Sequence, residues 1–430
     1  MQMEPYAWVL EAKRMAGSTI DHLVSLMIFI GALLVFISLF NQTIQTAILY
    51  QRHRFLATKC SDLLDNILLN PGIPADWGES GAVPSVFGLQ DRNFTTQYRL
   101  SPFSLMRLLS SSGDLVYYSR TGNYYSNVSW GVGGGYFLLK ESECVTYDLA
   151  SKLLGVNGTY GFQLAITPIL TVDITEVREN PLKFKIQVSG LGSPLSNANL
   201  TYLMFWSNPN PSGDAPILNF TSSDVNGDFL KTDSLGIAYK EFSSDPYIRV
   251  DNNKTAYVFI VRVQLGGLYG VGYKARDVTT SAGNIIPFVE SYEDGTVLLA
   301  HKWGKNDPSG NQGALFFNAS FYVLSENFVP MPEVQNVTGH VNYGKEYDYY
   351  AMQIPPSKVG FLVVAYRKGN EYGMVVMPWG VGVVGLSVVF GGDPVGQEWV
   401  AADIRQVIVN GVAYQARLAL WSLEGYGVVG

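Results

Sequence analysis

The apolar positions of this 430-residue chain fall into three rhythms. Leu23 to Phe40 is an unbroken apolar run, LVSLMIFIGALLVFISLF, of 18 residues without a charge. At helical rise it spans about 27 Å, close to the hydrocarbon thickness of a bilayer. Leu56, Cys60, Leu63, Leu64, Ile67 and Leu68 then recur at spacings of three and four, which predicts one buried face of an amphipathic helix. Asn70-Pro71-Gly72 ends it. Together these segments predict a long helix from about Ser18 to Leu69. Beyond it the rhythm shortens to two, the period of half-buried strands.

The strand rhythm is clearest at Leu182-Lys183-Phe184-Lys185-Ile186-Gln187-Val188, which alternates without a fault. Further strands are expected at Leu115–Ser119, Tyr160–Ile166, Asn199–Trp206 and Tyr257–Val263. Past residue 277 they are expected at Val297–Ala300, Ala314–Val323, Gly360–Tyr366, Gly373–Met377, Gly382–Phe390 and Ala413–Leu420. Asn410-Gly411, set between apolar runs, predicts a two-residue hairpin. Short helices are expected at Pro102–Ser110 and Glu143–Leu154, the second capped by Gly155. The fold class is therefore mainly β, α+β overall. Its expected order is a leader (1–17), the long helix (18–70, membrane part 23–40), a small α/β head (71–170), a β-sandwich (171–276) and a C-terminal β domain (277–430).

Composition narrows the function classes. Charged residues make up 15% and aromatics 13%, with 26 tyrosines and 44 glycines, so a disordered chain is excluded. The net charge of −7, without a basic cluster, excludes a nucleic-acid partner. Cys60 and Cys144 make either one bridge or two buried thiols. The four histidines show no metal-ligand spacing, and neither a metal nor a cofactor is expected. No nucleophile elbow, zinc-protease motif or phosphate loop occurs, so no catalytic residue is assigned and the chain is not read as an enzyme. Gly131–Gly135 reads as a loop. Asp224–Asp228 reads as a hairpin, because the distal glutamate of a calcium loop is absent. The acid pairs Glu141/Glu143 and Glu290/Glu293 read as exposed turns.

Nine Asn-x-Ser/Thr sequons occur among 25 asparagines, more than the Ser and Thr content would give by chance. Asn41 lies too near the apolar run for use. Asn93, Asn127, Asn157, Asn199, Asn219, Asn253, Asn318 and Asn336 are candidate glycosylation sites and argue for an extracytoplasmic body. In the pairs Tyr117-Tyr118, Tyr124-Tyr125 and Tyr349-Tyr350, one ring of each is expected to face solvent, where it can meet sugar or a partner.

Two resemblances follow. Lys13-Arg14-Met15-Ala16-Gly17-Ser18 before the apolar run resembles the class III signal of type IV pilins and archaeal pilin-like proteins. That resemblance implies cleavage between Gly17 and Ser18, with the helix retained. It also implies a single-pass protein of the cell membrane, its body outside, assembling with similar subunits into a filament. The sequence departs from the pattern at Asp21 and Ser18. Thr232-Asp233-Ser234-Leu235-Gly236-Ile237-Ala238 resembles the hairpin of bacterial Ig-like domains. The alternatives are a solitary membrane-anchored binding protein and, further off, an ectoenzyme acting on glycans.

Overall fold

The computed structural model describes residues 6–109, 115–118, 121–129, 136–223, 230–244, 246–251, 254–276, 285–301, 315–325, 335–341, 348–355, 358–380, 385–397 and 399–423; of residues 6–19, 109, 127–129, 136 and 301 it describes the backbone alone. Mainly-β architecture with one long N-terminal helix is what it shows. The chain divides into two compact units, Met1–Lys59 and Cys60–Gly430. The first is wholly helical where described. It belongs to α1 (Tyr6–Leu69), which begins earlier than the sequence predicted and ends where predicted, at Asn70-Pro71-Gly72. Gly72 has φ +86°, and a Cβ there would lie 2.8 Å from the Trp77 indole nitrogen and from Val86 O.

The second unit holds two further helices, α2 (Pro102–Leu109) and α3 (Tyr147–Leu153). The Thr146 hydroxyl caps α3 by accepting from Leu149 N–H, and Gly155 at φ +66° follows its end. The strands are, in order, β1 (Arg99–Leu100), β2 (Leu115–Tyr118), β3 (Asn123–Ser129), β4 (Tyr136–Lys140) and β5 (Tyr160–Pro168). Then come β6 (Leu170–Glu179), β7 (Leu182–Gly190), β8 (Ser193–Pro194), β9 (Asn199–Asn208), β10 (Ile217–Ser222), β11 (Leu230–Lys231), β12 (Ile237–Glu241), β13 (Tyr257–Leu265) and β14 (Leu268–Arg276). The remainder are β15 (Ile285–Ser291), β16 (Thr296–His301), β17 (Leu315–Val323), β18 (Gln335–Val341), β19 (Tyr349–Gln353), β20 (Gly360–Lys368), β21 (Glu371–Trp379), β22 (Val388–Gly391), β23 (Val400–Val409) and β24 (Val412–Ser422).

Strands β6 to β14 form a sandwich. One sheet runs β12-β7-β6, with β8 beside β7. The other runs β10-β9-β13-β14, with β11 beside β9. This order is that of an immunoglobulin-like sandwich. Phe184 of β7 stacks on Phe259 of β13 with centroids 4.4 Å apart, so the two sheets share one core. The predicted tight turn is present, with the Asp233 carboxylate accepting from Leu235 N–H (2.8 Å) and Ile237 N–H (2.9 Å) and Gly236 at φ +72°, but it is not a hairpin: it carries the chain from β11 in one sheet to β12 in the other. Strand β9 does not alternate. Its run Tyr202–Trp206 is buried throughout because both faces are covered: Tyr202 packs on Phe259 inside the sandwich, whereas Phe205 packs on Tyr322 and Phe361 of another sheet.

The other sheets interleave distant segments. The head sheet runs β1-β23-β24-β5-β22, so β23 and β24 complete a layer begun some 230 residues earlier. A six-stranded sheet, β19-β16-β15-β4-β3-β2, pairs β15 with β4 in parallel. A four-stranded sheet runs β18-β17-β20-β21. Both the head range (71–170) and the C-terminal range (277–430) contribute strands to the head sheet and to the six-stranded one. Within the second unit, Cys60, Leu63, Leu64, Ile67 and Leu68 are buried on the face the periodicity predicted. Arg405 of β23 clasps Asp65 with two nitrogens at 2.9 and 3.1 Å and donates to Ser61 at 3.0 Å.

The possible Cys60–Cys144 bridge is not formed. Cys60 Sγ faces the head sheet, 3.4 Å from Leu418 O, and Cys144 Sγ lies 3.5 Å from Lys140 O. Each thiol is directed at a different strand's carbonyl, so the head is held to the end of α1 by packing and by Arg405, not by a covalent link. Burial, with the Asp403 charge adding to it, pushes the Cys60 thiol up to about 11.

Candidate functional site

Three features of the surface and its clefts have the chemistry for a function. The first is the apolar run of α1. Every residue from Leu23 to Phe40 is exposed, and Met27, Ile28 and Phe36 each keep about two thirds of their surface. The helix is long and apolar enough to cross a membrane. A core helix of a soluble protein would hide this stripe; here it has no protein cover. Gly17 and Ser18 lie within α1, with side chains outside the described residues.

The second feature is the tyrosines. Tyr117 is 54% and Tyr124 49% exposed, while Tyr118 and Tyr125 are buried, as pleating requires of adjacent residues. Tyr117 and Tyr124 are cross-strand partners with rings 5.0 Å apart. On β19 Tyr350 is the exposed member and Tyr349 is half-buried.

The third feature was not legible in the sequence. A cleft of about 370 Å³ opens in the second unit among the loop before β1, the start of α2, the β13–β14 hairpin and the Asn410-Gly411 turn. Its walls include Phe94, Arg99, Phe103, Arg262 and Tyr269. The Arg99 guanidinium lies 3.3 Å from the centroid of Phe94, and that of Arg262 lies 4.1 Å from the centroid of Tyr269. Burial lowers the Arg262 pKa, and the Tyr269 phenol opposes that shift. A smaller pocket of about 150 Å³, lined by Asn199, Thr201 and Gln264, shares Arg262 and Tyr269 with it. Asn410 (φ +48°) and Gly411 (φ +79°) make the predicted turn, which delivers Gly411 to within reach of Arg262.

Each acid pair splits. Glu141 and Glu293 are exposed as expected, whereas Glu143 and Glu290 are half-buried. Glu290 accepts from Lys140 (2.5 Å), from Asn123 (3.1 Å) and from the Tyr125 hydroxyl. Glu143 lies against Gly81 and near Arg107; burial raises its pKa, and the Arg107 charge opposes that. Arg107 is fully buried and donates to Glu143 O, Ala82 O, Gly81 O and Trp77 O. These four carbonyls make it a structural pin. Among the described residues no cluster of His, Cys, Asp and Glu could hold a metal.

The sequon asparagines are dispersed. Asn93 is exposed beside the cleft, Asn157 in a turn after α3, Asn199 at the start of β9 and Asn336 on β18. Asn219 is half-buried. Asn318 is half-buried in the interior of the four-stranded sheet, its amide 3.4 Å from Pro216 O. Asn127 lies on β3 with its side chain outside the described residues, which also exclude Asn253, Gly131–Gly135 and Asp224–Asp228. Comparison with known families and with curated proteins finds no match.

Proposed function

We propose that this chain is a membrane-anchored, extracellular structural or adhesive protein and a pilin-like subunit of a type IV pilus-like filament. The observation that carries the reading is the uncovered Leu23–Phe40 run on α1, preceded by the Lys13–Ser18 pattern. The buried end of the helix beneath the head sheet supports the same reading. In such an assembly the apolar helices pack in the filament core or stand in the bilayer, and the β-rich body faces outward. Exposed sequons at Asn157 and Asn336, which line neither the cleft nor its side pocket, support an extracytoplasmic body that carries glycan. The arrangement needs neither cofactor nor catalysis.

N-terminal sequencing of the protein from native membranes tests it: the expected first residue is Ser18, and an intact Met1 in membranes without filaments overturns the filament reading. A solitary anchored binding protein is the second reading. It is favoured by one observation, the arginine-lined cleft, which a purely structural subunit has no need of.

A further inference from the structure

We infer that the cleft between the head and the sandwich binds an acidic saccharide, a chain of sugars carrying carboxylate or sulfate groups. Three observations carry the inference. The cleft is of ligand size: about 370 Å³ lies within the range of small-molecule sites, and the adjoining 150 Å³ pocket extends it past Arg262. It holds two cations in fixed poses. The Arg99 guanidinium lies 3.3 Å from the Phe94 centroid and that of Arg262 4.1 Å from the Tyr269 centroid, so each cation rests against a ring in the cleft wall, and guanidinium is the cation whose planar fork matches a carboxylate or sulfate. Among the described residues no carboxylate forms an ion pair with Arg99.

The remaining walls suit sugar. Pro102, Phe103 and Val359 give an apolar side for the C–H face of a ring, and Asn410 and Asn93 give amides for hydroxyls. Two carboxylates also line the cleft, and among the described residues neither forms an ion pair with Arg99. Glu79 pairs with Arg92 at 3.0 Å, an arginine it shares with Asp76, and one Asp91 oxygen accepts Asn93 N–H at 2.9 Å. Their remaining lone pairs are acceptors for hydroxyl groups. A bare small anion would need the cations but not the apolar wall; a neutral sugar would need the wall but not two guanidinium groups. The inference stands whether or not the chain assembles into a filament.

Calorimetric titration of the full chain in detergent tests it. The probes are a tetramer of galacturonic acid, a neutral maltotetraose of equal length, and sodium acetate. The acidic tetramer is expected to bind at least about tenfold more tightly than either control, and more weakly as salt rises. R99Q and R262Q are each expected to weaken it by about tenfold. G411N, which carries some backbone strain at φ +79°, is expected to weaken binding by narrowing the cleft beside Arg262 with no change of charge. Circular dichroism melts verify that the variants are folded. Equal affinity for the neutral tetramer, acetate binding as tightly as the acidic tetramer, no heat with any probe, or folded R99Q and R262Q proteins that bind like the parent would each overturn the inference.

Discussion

The sandwich is antiparallel and so is the head sheet apart from its edge strand β1, yet they are built in opposite ways. The sandwich draws all nine strands from one stretch, Leu170–Arg276. The head sheet draws β5 from before that stretch and β22, β23 and β24 from far after it. In the sandwich, short turns such as Gly266-Gly267 between β13 and β14 bring partners together at little loop-closure cost. In the head, β24 lies between β5 and β23, so two remote segments must meet before the layer under α1 exists. The sandwich is thus a contiguous insertion, and the head is a closure.

The largest effect should come from the central strand of that closure. Leu418→Asp buries a charge where Leu418 is fully enclosed, at a cost on the order of 5 kcal/mol. Hydrogen exchange should show β5 and β23 losing protection while β7 and β13 keep theirs; loss in both would break the comparison. Phe184→Ala is the reciprocal test. Removing the ring stacked on Phe259 should cost about 3–5 kcal/mol, confined to the sandwich, as read by limited proteolysis and thermal melts.

Next is Arg107→Met, which leaves buried carbonyls without a donor and should cost about 3 kcal/mol in denaturant titration. Gly236→Ala should cost roughly 1–2 kcal/mol, since φ is +72° and the new Cβ would lie 2.6 Å from Val188 O.

The smallest effect is a pH dependence in the head. Burial pushes the Asp403 carboxyl up, but hydrogen bonds from Ser61, Ile404 N–H and Arg405 outweigh it and leave its pKa lowered. A carboxyl lowered by folding contributes stability that is complete above the ordinary aspartate value of about 3.9 and is lost as pH falls through its folded value. The melting temperature of Asp403→Asn should fall less steeply between neutral and strongly acid pH than that of the parent.

The same contrast explains what the sequence made legible. Leu182–Val188 and Thr232–Ala238 declared themselves because each has one wet face or one demanding turn. The end of α1 was legible for the same reason, since its buried residues fall at helical spacing and Pro71 and Gly72 stop it. Tyr202–Trp206 read as a strand, but nothing in it told that Phe205 faces a second sheet. The parallel pairing of β15 with β4 has no local signal at all. The cleft was illegible because Arg99, Arg262 and Gly411 are far apart in sequence and meet only when the head closes on the sandwich. A two-residue signature did exist, Asn410-Gly411, but it announces a turn and not what the turn approaches. Glu143 and Glu290 misled for the opposite reason: beside turns they looked solvated, and their partners Arg107 and Lys140 come from other segments.

The position of β23 and β24 also sets a timetable. Synthesis runs from the first residue onward, so α1 and β5 exist while on the order of 230 residues remain to be made before Val400 appears. At ordinary translation rates that interval is roughly 10–45 s. For all of it the apolar underside of the end of α1 lacks its sheet, and Cys60 is an uncovered thiol. The sandwich strands are complete by Arg276, well before then. A nonsense mutation between Arg276 and Val400 yields a chain with every sandwich strand but without the two strands that cover the end of α1.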